Sequence, residues 1–529
     1  MNWKIVWILL TFGGMIRKII CVNAVLIALL AAAFLVFPSL RVLADLRDDS
    51  LRGKGTPQAA WRLWRNLTPR YAAWARARAA SNRAEQLSTN DVSGTEWPLF
   101  GSVFYLWGVE NLQTAWEAGD HQGGGEPKGF AKDAIIAASE LVVDPKQAAW
   151  VRNFYGEGYL HRDDLFYRML VIAALASRER LLHDGVHTGL LREQVESLAQ
   201  ELDGSPSGLL EDYPGECYPG DVMAGVMAIK RADAVLGTDH SHLVNRELRA
   251  FTGERATRHG LPPYRAKAGT GLPASDARGC ANAYMCLTAP ELWPGPAAEW
   301  YAIYDRLFWQ ERLGAAGYRE YAKGAPHSNW AMDVDAGPVL AGYGVAASAF
   351  GVGAARKNGR FDRAYPLTAE LLATAVELPN GMLAVPRLLS NLSEAPLLGE
   401  AAILWQLSIQ PEKGFAIKQG GRLPAYVYFV LIGMFLVGSW RILESVWTFR
   451  SARREEVEVW VPALQAVLWV GLLLGAIAAA VTSRTLLGLV LLLGAVLLPI
   501  EKKKRPPKGA EDWPEPAPVD KPADGKSPQ

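Results

Sequence analysis

The chain has 529 residues, and its 55 lysines and arginines against 54 aspartates and glutamates give a formal net charge of +1. Because the charges nearly balance, the composition does not indicate a global electrostatic attraction to nucleic acid. Half of the residues are hydrophobic and 21% are charged, which excludes a disordered or collagen-like polymer. Four cysteines without a CxxC pair are too few for a disulfide scaffold and do not suggest a zinc-ribbon or thioredoxin-type centre.

Four nearly uncharged stretches predict membrane-spanning helices. They cover residues 19–37, 425–437, 459–481 and 486–500, and the last two are joined by a short polar segment as in a helical hairpin. Arg17 and Lys18 precede the first stretch, arginines follow the second, and a Lys-Lys-Lys-Arg run follows the fourth. By the positive-inside tendency, both termini are expected in the cytoplasm and residues 45–421 outside. A cleaved signal peptide ending near Ala44 is the alternative for the first stretch, and it exports the same region.

These segments predict four parts of the chain. Residues 1–44 form the cytoplasmic N-terminus and first membrane helix, residues 45–421 the exported domain, residues 422–500 three membrane helices, and residues 501–529 a disordered, proline-rich, charged tail. For a bacterial protein, this organisation indicates a multi-pass protein of the inner membrane with its main domain in the periplasm. The lipid bilayer is therefore its first expected partner.

The exported region is predicted to be all-α, because apolar residues recur at three- and four-residue spacing and β-branched alternation is scarce. The candidate helices cover residues 57–79, 98–118, 164–182, 191–202, 222–235, 242–251, 297–313, 337–355, 363–374 and 399–407. About a dozen helices joined by alternating short and elaborate loops favour a ring of helical hairpins, an (α/α) toroid. A helical solenoid is the rival, but a fixed repeat period is not apparent. A closed ring brings loops that are distant in sequence around one cavity.

The first candidate site is a glycine-flexed loop. Glu157 stands between two glycines, Tyr159 follows, and His161 lies four residues after the glutamate. A carboxylate and an imidazole so placed predict proton transfer near neutral pH. Asp163 and Asp164, which come next, have an equally good alternative role as caps of the helix that follows.

The second candidate site, residues 211–221, crowds four carboxylates, one thiol and two phenols into a stretch with two Pro-Gly turns. Asp212 and Asp221 lie near its ends, and Tyr213, Cys217 and Tyr218 lie between them. Like charges held close raise one another's pKa, which yields one protonated acid and one ionised base. The alternative is a turn-rich connection with Asp221 as the N-cap of a helix starting at residue 222. Cys217 is a nucleophile only if a base lies beside it.

Two further groups contain aromatic residues and acids. Trp330 precedes Asp333 and Asp335, whose spacing puts both carboxylates on one face of an extended strand, although Asp335 before Gly-Pro is also a good cap. Trp97 stands in a run of aromatic residues that stack on sugar rings or, alternatively, pack in the core. The sequence has neither an HExxH motif nor an EF-hand loop, so the case for a metal site at these acids is weak. No cofactor is expected.

Cys280 and Cys286 are close in sequence. In an oxidising compartment they are candidates for a local disulfide of stabilising value.

Three segments resemble the linalool dehydratase/isomerase-like family. They are the Glu-Gly-Tyr-Leu loop at residues 157–160, the stretch from residue 214 to Gly-Thr-Asp at 237–239, and the run from residue 333 to 350 that ends Gly-Val-Ala-Ala-Ser-Ala-Phe. The resemblance implies an (α/α)6-barrel catalytic domain. Counted back without gaps from residues 237–239, the family's two active-site cysteines fall on Asp212 and Asp221, and its loop histidine falls on Tyr159. Carboxylates in place of thiols suggest proton transfer at a C–O bond.

Three functions follow as hypotheses. The first is a membrane-anchored exported enzyme that cleaves a C–O bond, expected to be glycosidic, in a glycan or oligosaccharide. The second is a hydro-lyase or isomerase acting on a hydrophobic alcohol, as the resemblance implies. The third is a non-catalytic binding or assembly protein whose C-terminal helices bind another membrane protein. The expected catalytic residues are Asp212, Asp221, Glu157, His161 and Asp335. The expected substrate-binding residues are Tyr159, Asp333, Trp330, Trp97, Tyr213, Tyr218 and Cys217.

Overall fold

The computed structural model describes residues 17–18, 20–88, 91–162, 164–333, 336–454, 457–459, 463–481, 485–497 and 502–504. The chain divides into two compact units, one made of Met1–Ala32 with Ser439–Gln529 and the other of Ala33–Gly438. The described residues are mostly helical, as the sequence predicts.

The helices of the first half are α1 (Ile20–Asp45), α2 (Gln58–Ala80), α3 (Val92–Glu117), α4 (Pro127–Phe130), α5 (Lys132–Val143), α6 (Ala149–Tyr155), α7 (Leu165–Leu182), α8 (Thr188–Gly204), α9 (Pro219–Leu236) and α10 (Ser241–Glu247). Those of the second half are α11 (Gly279–Leu292), α12 (Pro294–Phe308), α13 (Val345–Lys357), α14 (Phe361–Ala375), α15 (Ala384–Ser390), α16 (Leu398–Ser408), α17 (Ala425–Arg454), α18 (Ala463–Val481) and α19 (Thr485–Leu497).

Short antiparallel strands complete the fold. The strands are β1 (Trp309–Arg312), β2 (Ala315–Tyr318), β3 (Ala331–Asp333), β4 (Gly337–Leu340), β5 (Tyr343–Gly344), β6 (Val457–Val459) and β7 (Lys502–Lys504). β1 pairs with β2, β4 lies between β3 and β5, and β6 pairs with β7. The strand β7 lies at the start of the predicted tail, and residues 505–529 lie outside the described part of the chain.

Six helices form a closed series of pairwise contacts, in which the last helix packs on the first. α3 contacts α7, and the contacts continue through α9, α11, α13 and α16, which packs back on α3. In α7, 15 of the 18 residues are buried. A helix that is buried on nearly every face must be covered by neighbours on several sides. Five further helices each contact one or more of these six: α2, α5, α8, α12 and α14.

Two predicted helices needed correction. The helix predicted at residues 297–313 ends at Phe308, because the chain continues as β1 and pairs with β2. The helix predicted at residues 337–355 begins only at Val345, because the preceding residues form β4, a turn and β5. Both errors have the same cause. Strand pairing joins separate segments of the chain, and the helical periodicity of one segment does not indicate such pairing.

Two helices, α1 with 26 residues and α17 with 30, are long and apolar enough to cross a membrane. They overlap the first and second predicted membrane segments, and each continues past the predicted end, to Asp45 and to Arg454. The third and fourth predicted segments overlap α18 and α19, which pack against each other.

Candidate functional site

The starts of three neighbouring helices bring four acidic residues together. Glu96 lies near the start of α3, Asp164 is the N-cap of α7, and Asp221 lies in the first turn of α9. Asp212 belongs to the loop that leads into α9. These four residues are called the carboxylate cluster below. Helix N-termini favour negative charge, because their free N–H groups and the helix dipole are positive at that end.

Asp212 lies at the centre of the cluster and is completely buried. Its Oδ2 accepts a 2.7 Å hydrogen bond from the backbone N–H of Tyr218, while its Oδ1 has no hydrogen-bond partner among the described residues. Burial raises the pKa of Asp212 well above its ordinary value, and the negative charge of Asp221 raises it further. Asp212 is therefore suited to hold a proton near neutral pH.

Asp164 is the second completely buried member of the cluster. Its Oδ1 accepts a 3.2 Å hydrogen bond from the backbone N–H of Tyr167, which confirms the alternative role of Asp164 as a cap, and its Oδ2 has no partner within the described chain. Burial raises the pKa of Asp164 to about 7, and the charge of Glu96 contributes to the increase. The cluster thus contains two buried carboxyl groups that favour the protonated form.

Two tyrosines face the carboxylate cluster from different elements. The hydroxyl of Tyr213 donates a 2.6 Å hydrogen bond to Glu96 Oε1, and burial followed by the charge of Glu96 raises the pKa of Tyr213. Tyr284, on α11, is 6% exposed, and its hydroxyl has no hydrogen-bond partner among the described residues. Burial raises the pKa of Tyr284, and the nearby charge of Asp221 adds to the shift. Both phenols therefore remain protonated donors.

Asp221 is not the N-cap of its helix. The helix begins at Pro219 rather than at residue 222, and Tyr218 occupies the cap position. Asp221 therefore lies inside the first turn, half-buried, where its charge acts on Asp212 and Tyr284.

An aromatic wall borders the cluster. The ring of Phe100, on α3, lies 6.1 Å from that of Tyr284 and 5.8 Å from that of Phe166. The ring of Tyr284 lies 5.6 Å from that of Phe350, and Phe104 stacks on Trp405 with 4.8 Å between centroids. The site thus combines acidic groups with apolar rings contributed by several helices.

Cys217 and Tyr218 occupy the loop between Asp212 and Asp221. Cys217 is 1% exposed, and burial raises its pKa, with the charge of Asp212 adding to the effect, so the thiolate is disfavoured. The hydroxyl of Tyr218 donates a 2.6 Å hydrogen bond to Glu216 Oε2. The ring of Tyr218 lies 5.3 Å from that of Tyr264.

Beyond Tyr264 lies a second charged group centred on Arg278, which stands 4.4 Å above the Tyr264 ring. Arg278 Nε donates a 2.7 Å hydrogen bond to the completely buried Glu320. Arg278 also forms a 3.2 Å ion pair with Asp333. Asp333, predicted to bind substrate, is thus joined through Arg278 and Tyr264 to Tyr218.

The loop at residues 156–161 is a short 3-10 helix whose polar groups face solvent. Glu157 is 85% exposed and pairs with Arg152 at 2.6 Å, and His161 is 54% exposed and lies 3.1 Å from Glu193. Tyr159 is the buried residue of this segment, and its ring lies 5.8 Å from that of Tyr167.

The remaining predicted residues are distributed as follows. Trp97 is half-buried on α3 beside Glu96, whereas Trp330 is 66% exposed before β3. Asp335 and Asp163 lie outside the described residues.

The predicted disulfide is not formed, since Cys280 and Cys286 are both thiols on α11. The Cys280 thiol lies 3.2 Å from Glu320 Oε1. Among the described residues, no group of three or more His, Cys, Asp or Glu is arranged to hold a metal ion.

Sequence reasoning missed Glu96, Asp164 and Tyr284 as members of the site. The positions of two of them could have been noticed in the sequence. Glu96 and Asp164 lie where long apolar helices begin, as Asp221 does. Tyr284 gave no such signal, since the helix that contains it was not predicted.

Comparison with known proteins leaves the chain without an assigned family. No family model matches the sequence, and no curated protein matches it.

Proposed function

We propose that this protein is a membrane-anchored, exported enzyme that cleaves a glycosidic C–O bond in a glycan or oligosaccharide by carboxylate acid/base catalysis. The observation that supports it is the carboxylate cluster, in which Asp212 Oδ1, Asp164 Oδ2 and the Tyr284 hydroxyl are buried without hydrogen-bond partners among the described residues. Buried polar groups are normally satisfied, and exceptions concentrate at functional sites. A hydroxyl-rich substrate would supply the missing partners.

Asp212 and Asp221 are the proposed acid and base. Asp212 holds its proton, because burial and the neighbouring charge raise its pKa, and it donates that proton to the oxygen that leaves. Asp221, which is less buried, takes a proton from the water that attacks the sugar carbon, so that cleavage consumes one water and forms two hydroxyl groups. Glu96, held by Tyr213, completes the negative environment that stabilises a developing positive charge on the sugar.

The proposed scaffold is an (α/α)6 toroid of the linalool dehydratase/isomerase-like kind. The supporting observation is the closed series of contacts between six helices, α3, α7, α9, α11, α13 and α16. In such a ring these six helices run parallel to one another, so the loops before α3, α7 and α9 meet at one end. The positions of Glu96, Asp164 and Asp221 agree with that arrangement.

The proposed topology has four membrane helices, α1, α17, α18 and α19, with both termini in the cytoplasm and residues 45–421 in the periplasm of a bacterial inner membrane. The lengths and apolar composition of α1 and α17 support two of the four spans. The packing of α18 against α19 agrees with a membrane hairpin, which would also offer a surface for a membrane-protein partner.

The test is to replace Asp212 and Asp221 separately with Asn and to measure turnover of periplasmic glycans and oligosaccharides by the purified full chain. Each variant should lose about 10²- to 10⁴-fold in kcat, the usual contribution of a general acid or base. Asp133→Asn is the matched control, because Asp133 is 73% exposed in a surface ion pair. Turnover like that of the unmodified enzyme in both Asp212→Asn and Asp221→Asn would remove the pair from the mechanism, and would favour the non-catalytic binding role.

A second candidate function is dehydration or isomerisation of a hydrophobic alcohol. The aromatic wall around Phe100, Tyr284 and Phe350 favours it, because apolar rings bind a hydrocarbon chain beside the proton donor. Incubation with prenyl alcohols separates the two functions, since a hydro-lyase releases water and an alkene and leaves oligosaccharides unchanged.

A further inference from the structure

The turn between β1 and β2 is a strained turn with an apolar tip. Arg312 pairs with Ala315, so Leu313 and Gly314 form a two-residue turn, and their φ angles are +56° and +75°. Two positive φ angles are typical of the hairpin turn that favours Asn-Gly. A leucine is unfavourable in that backbone conformation. Leu313 is also 78% exposed, so packing within the chain does not explain its presence.

The hairpin is held firmly in place. The hydroxyl of Tyr343 accepts a 2.9 Å hydrogen bond from the N–H of Arg312 and lies 2.9 Å from the carbonyl oxygens of Arg312 and Ala315. Glu370 accepts a 2.7 Å hydrogen bond from the N–H of Ala316. The position of Leu313 is therefore fixed by the fold.

The same turn is bonded to the start of α17. The backbone N–H of Tyr426 donates a 2.9 Å hydrogen bond to the carbonyl oxygen of Gly314. The predicted membrane-spanning stretch of α17 begins at residue 425, which is also the first residue of the helix. The first turn of α17 then lies at headgroup depth. Tyr426, Tyr428 and Phe429, which are 38%, 53% and 76% exposed, match the aromatic belt found there.

We propose that the β1–β2 turn is a second membrane contact, in which Leu313 inserts into the interfacial layer of the bilayer beside α17. The inference rests on the proposed membrane span of α17. It adds a lipid-binding surface on the exported domain, continuous with the lipid-facing surface of the helix. Arg312, which is exposed on the same hairpin, would lie among the lipid headgroups.

The experiment uses spin labels on the full chain in nanodiscs, in a Cys21→Ser background in which the three remaining cysteines, at most 5% exposed, are not labelled. Labels at Leu313→Cys, Leu436→Cys and Glu311→Cys report collisions with oxygen and with a water-soluble nickel chelate. Leu436, 60% exposed in the middle of α17, is the lipid reference, and Glu311, 64% exposed on β1, is the aqueous reference.

The expected nickel collision rate at residue 313 is about fivefold below that at residue 311, because the label leaves water for the interface. Equal rates at 313 and 311 with a shielded label at 436 would overturn the hairpin contact and leave the membrane span intact. Water-exposed labels at both 313 and 436 would overturn the span and the hairpin contact together. Neither result bears on the turnover of Asp212→Asn.

Discussion

The Asp212 carboxylate accepts a 2.7 Å hydrogen bond from the backbone N–H of Tyr218 through one oxygen and leaves the other unpartnered among the described residues. The bond closes the loop that contains Pro214 and Gly215 and holds Asp212 against the start of α9, whose first residues are Pro219 and Gly220. A carboxyl group fixed by one oxygen and available at the other is suited to donate a proton in a defined direction.

Removing the Tyr213 hydroxyl is expected to reduce catalysis. Tyr213→Phe loses the 2.6 Å hydrogen bond to Glu96, so that Glu96 is no longer oriented toward the cluster. We expect kcat to fall about tenfold, equivalent to the loss of about 1.4 kcal/mol of transition-state stabilisation. Tyr71→Phe is the control, since its buried hydroxyl contacts Ser102 at 3.1 Å between α2 and α3. An equal loss of kcat in both variants would indicate a general packing effect.

Replacing Asp164 by Asn is expected to change how stability depends on pH. The pKa of Asp164 is about 7 in the folded chain and about 3.9 when unfolded, so the folded state retains a proton that the unfolded state releases. The free energy of unfolding contributed by this group therefore falls as pH rises from about 4 to about 7. Asn does not ionise, so the Asp164→Asn variant does not lose this stability. The difference in melting temperature in favour of the variant should therefore grow across that pH range, as measured by thermal unfolding of the detergent-solubilised chain.

Asp164→Ala separates the charge from the cap. Alanine removes both the ionisable group and the hydrogen bond to the Tyr167 N–H, which should cost about 1 kcal/mol at every pH. An Asn variant whose stability follows the unmodified protein at each pH would contradict the raised pKa.

The Arg278–Glu320 pair is expected to matter more for stability than a surface pair. Glu320 is completely buried, so Arg278→Gln leaves a carboxylate without its compensating charge, at a cost of about 3–5 kcal/mol. The Arg76–Asp133 pair is 57% and 73% exposed, and Arg76→Gln should cost less than about 1 kcal/mol. Arg278→Gln with Glu320→Gln should be less damaging than the sum of the single changes, as a double-mutant cycle measures.

Gly279, the first residue of α11, is required by close backbone contact. A Cβ at this position would clash with the carbonyl oxygen of Arg319, so Gly279→Ala must displace the helix that contains Tyr284. We expect a loss of about 3 kcal/mol, the upper range for overpacking. Gly295, at the start of α12, has open space around it, and Gly295→Ala should be neutral or stabilise by about 0.5 kcal/mol. Equal melting temperatures for the two variants would refute the contact.

Local features were predicted well where the relevant interactions lie within one helix. The helix predicted at residues 164–182 is present as Leu165–Leu182, and capping by Asp164 was one of the roles that the sequence left open, because periodicity and capping involve neighbours in sequence. The helix Gly279–Leu292 was missed. This helix contacts α9, α12 and α13, so it has apolar residues on most of its faces. Without a polar, solvent-facing side, its sequence shows no helical period.

Composition and periodicity thus establish an α-helical chain with long apolar segments, because these properties depend on residues a few positions apart. Neither property indicates that Glu96, Asp164 and Tyr284 join Asp212 and Asp221. That meeting depends on which helix starts lie together, and the choice is made by packing between segments up to roughly two hundred residues apart. The same long-range packing removes water from Asp212 and so raises its pKa, which no local pattern encodes.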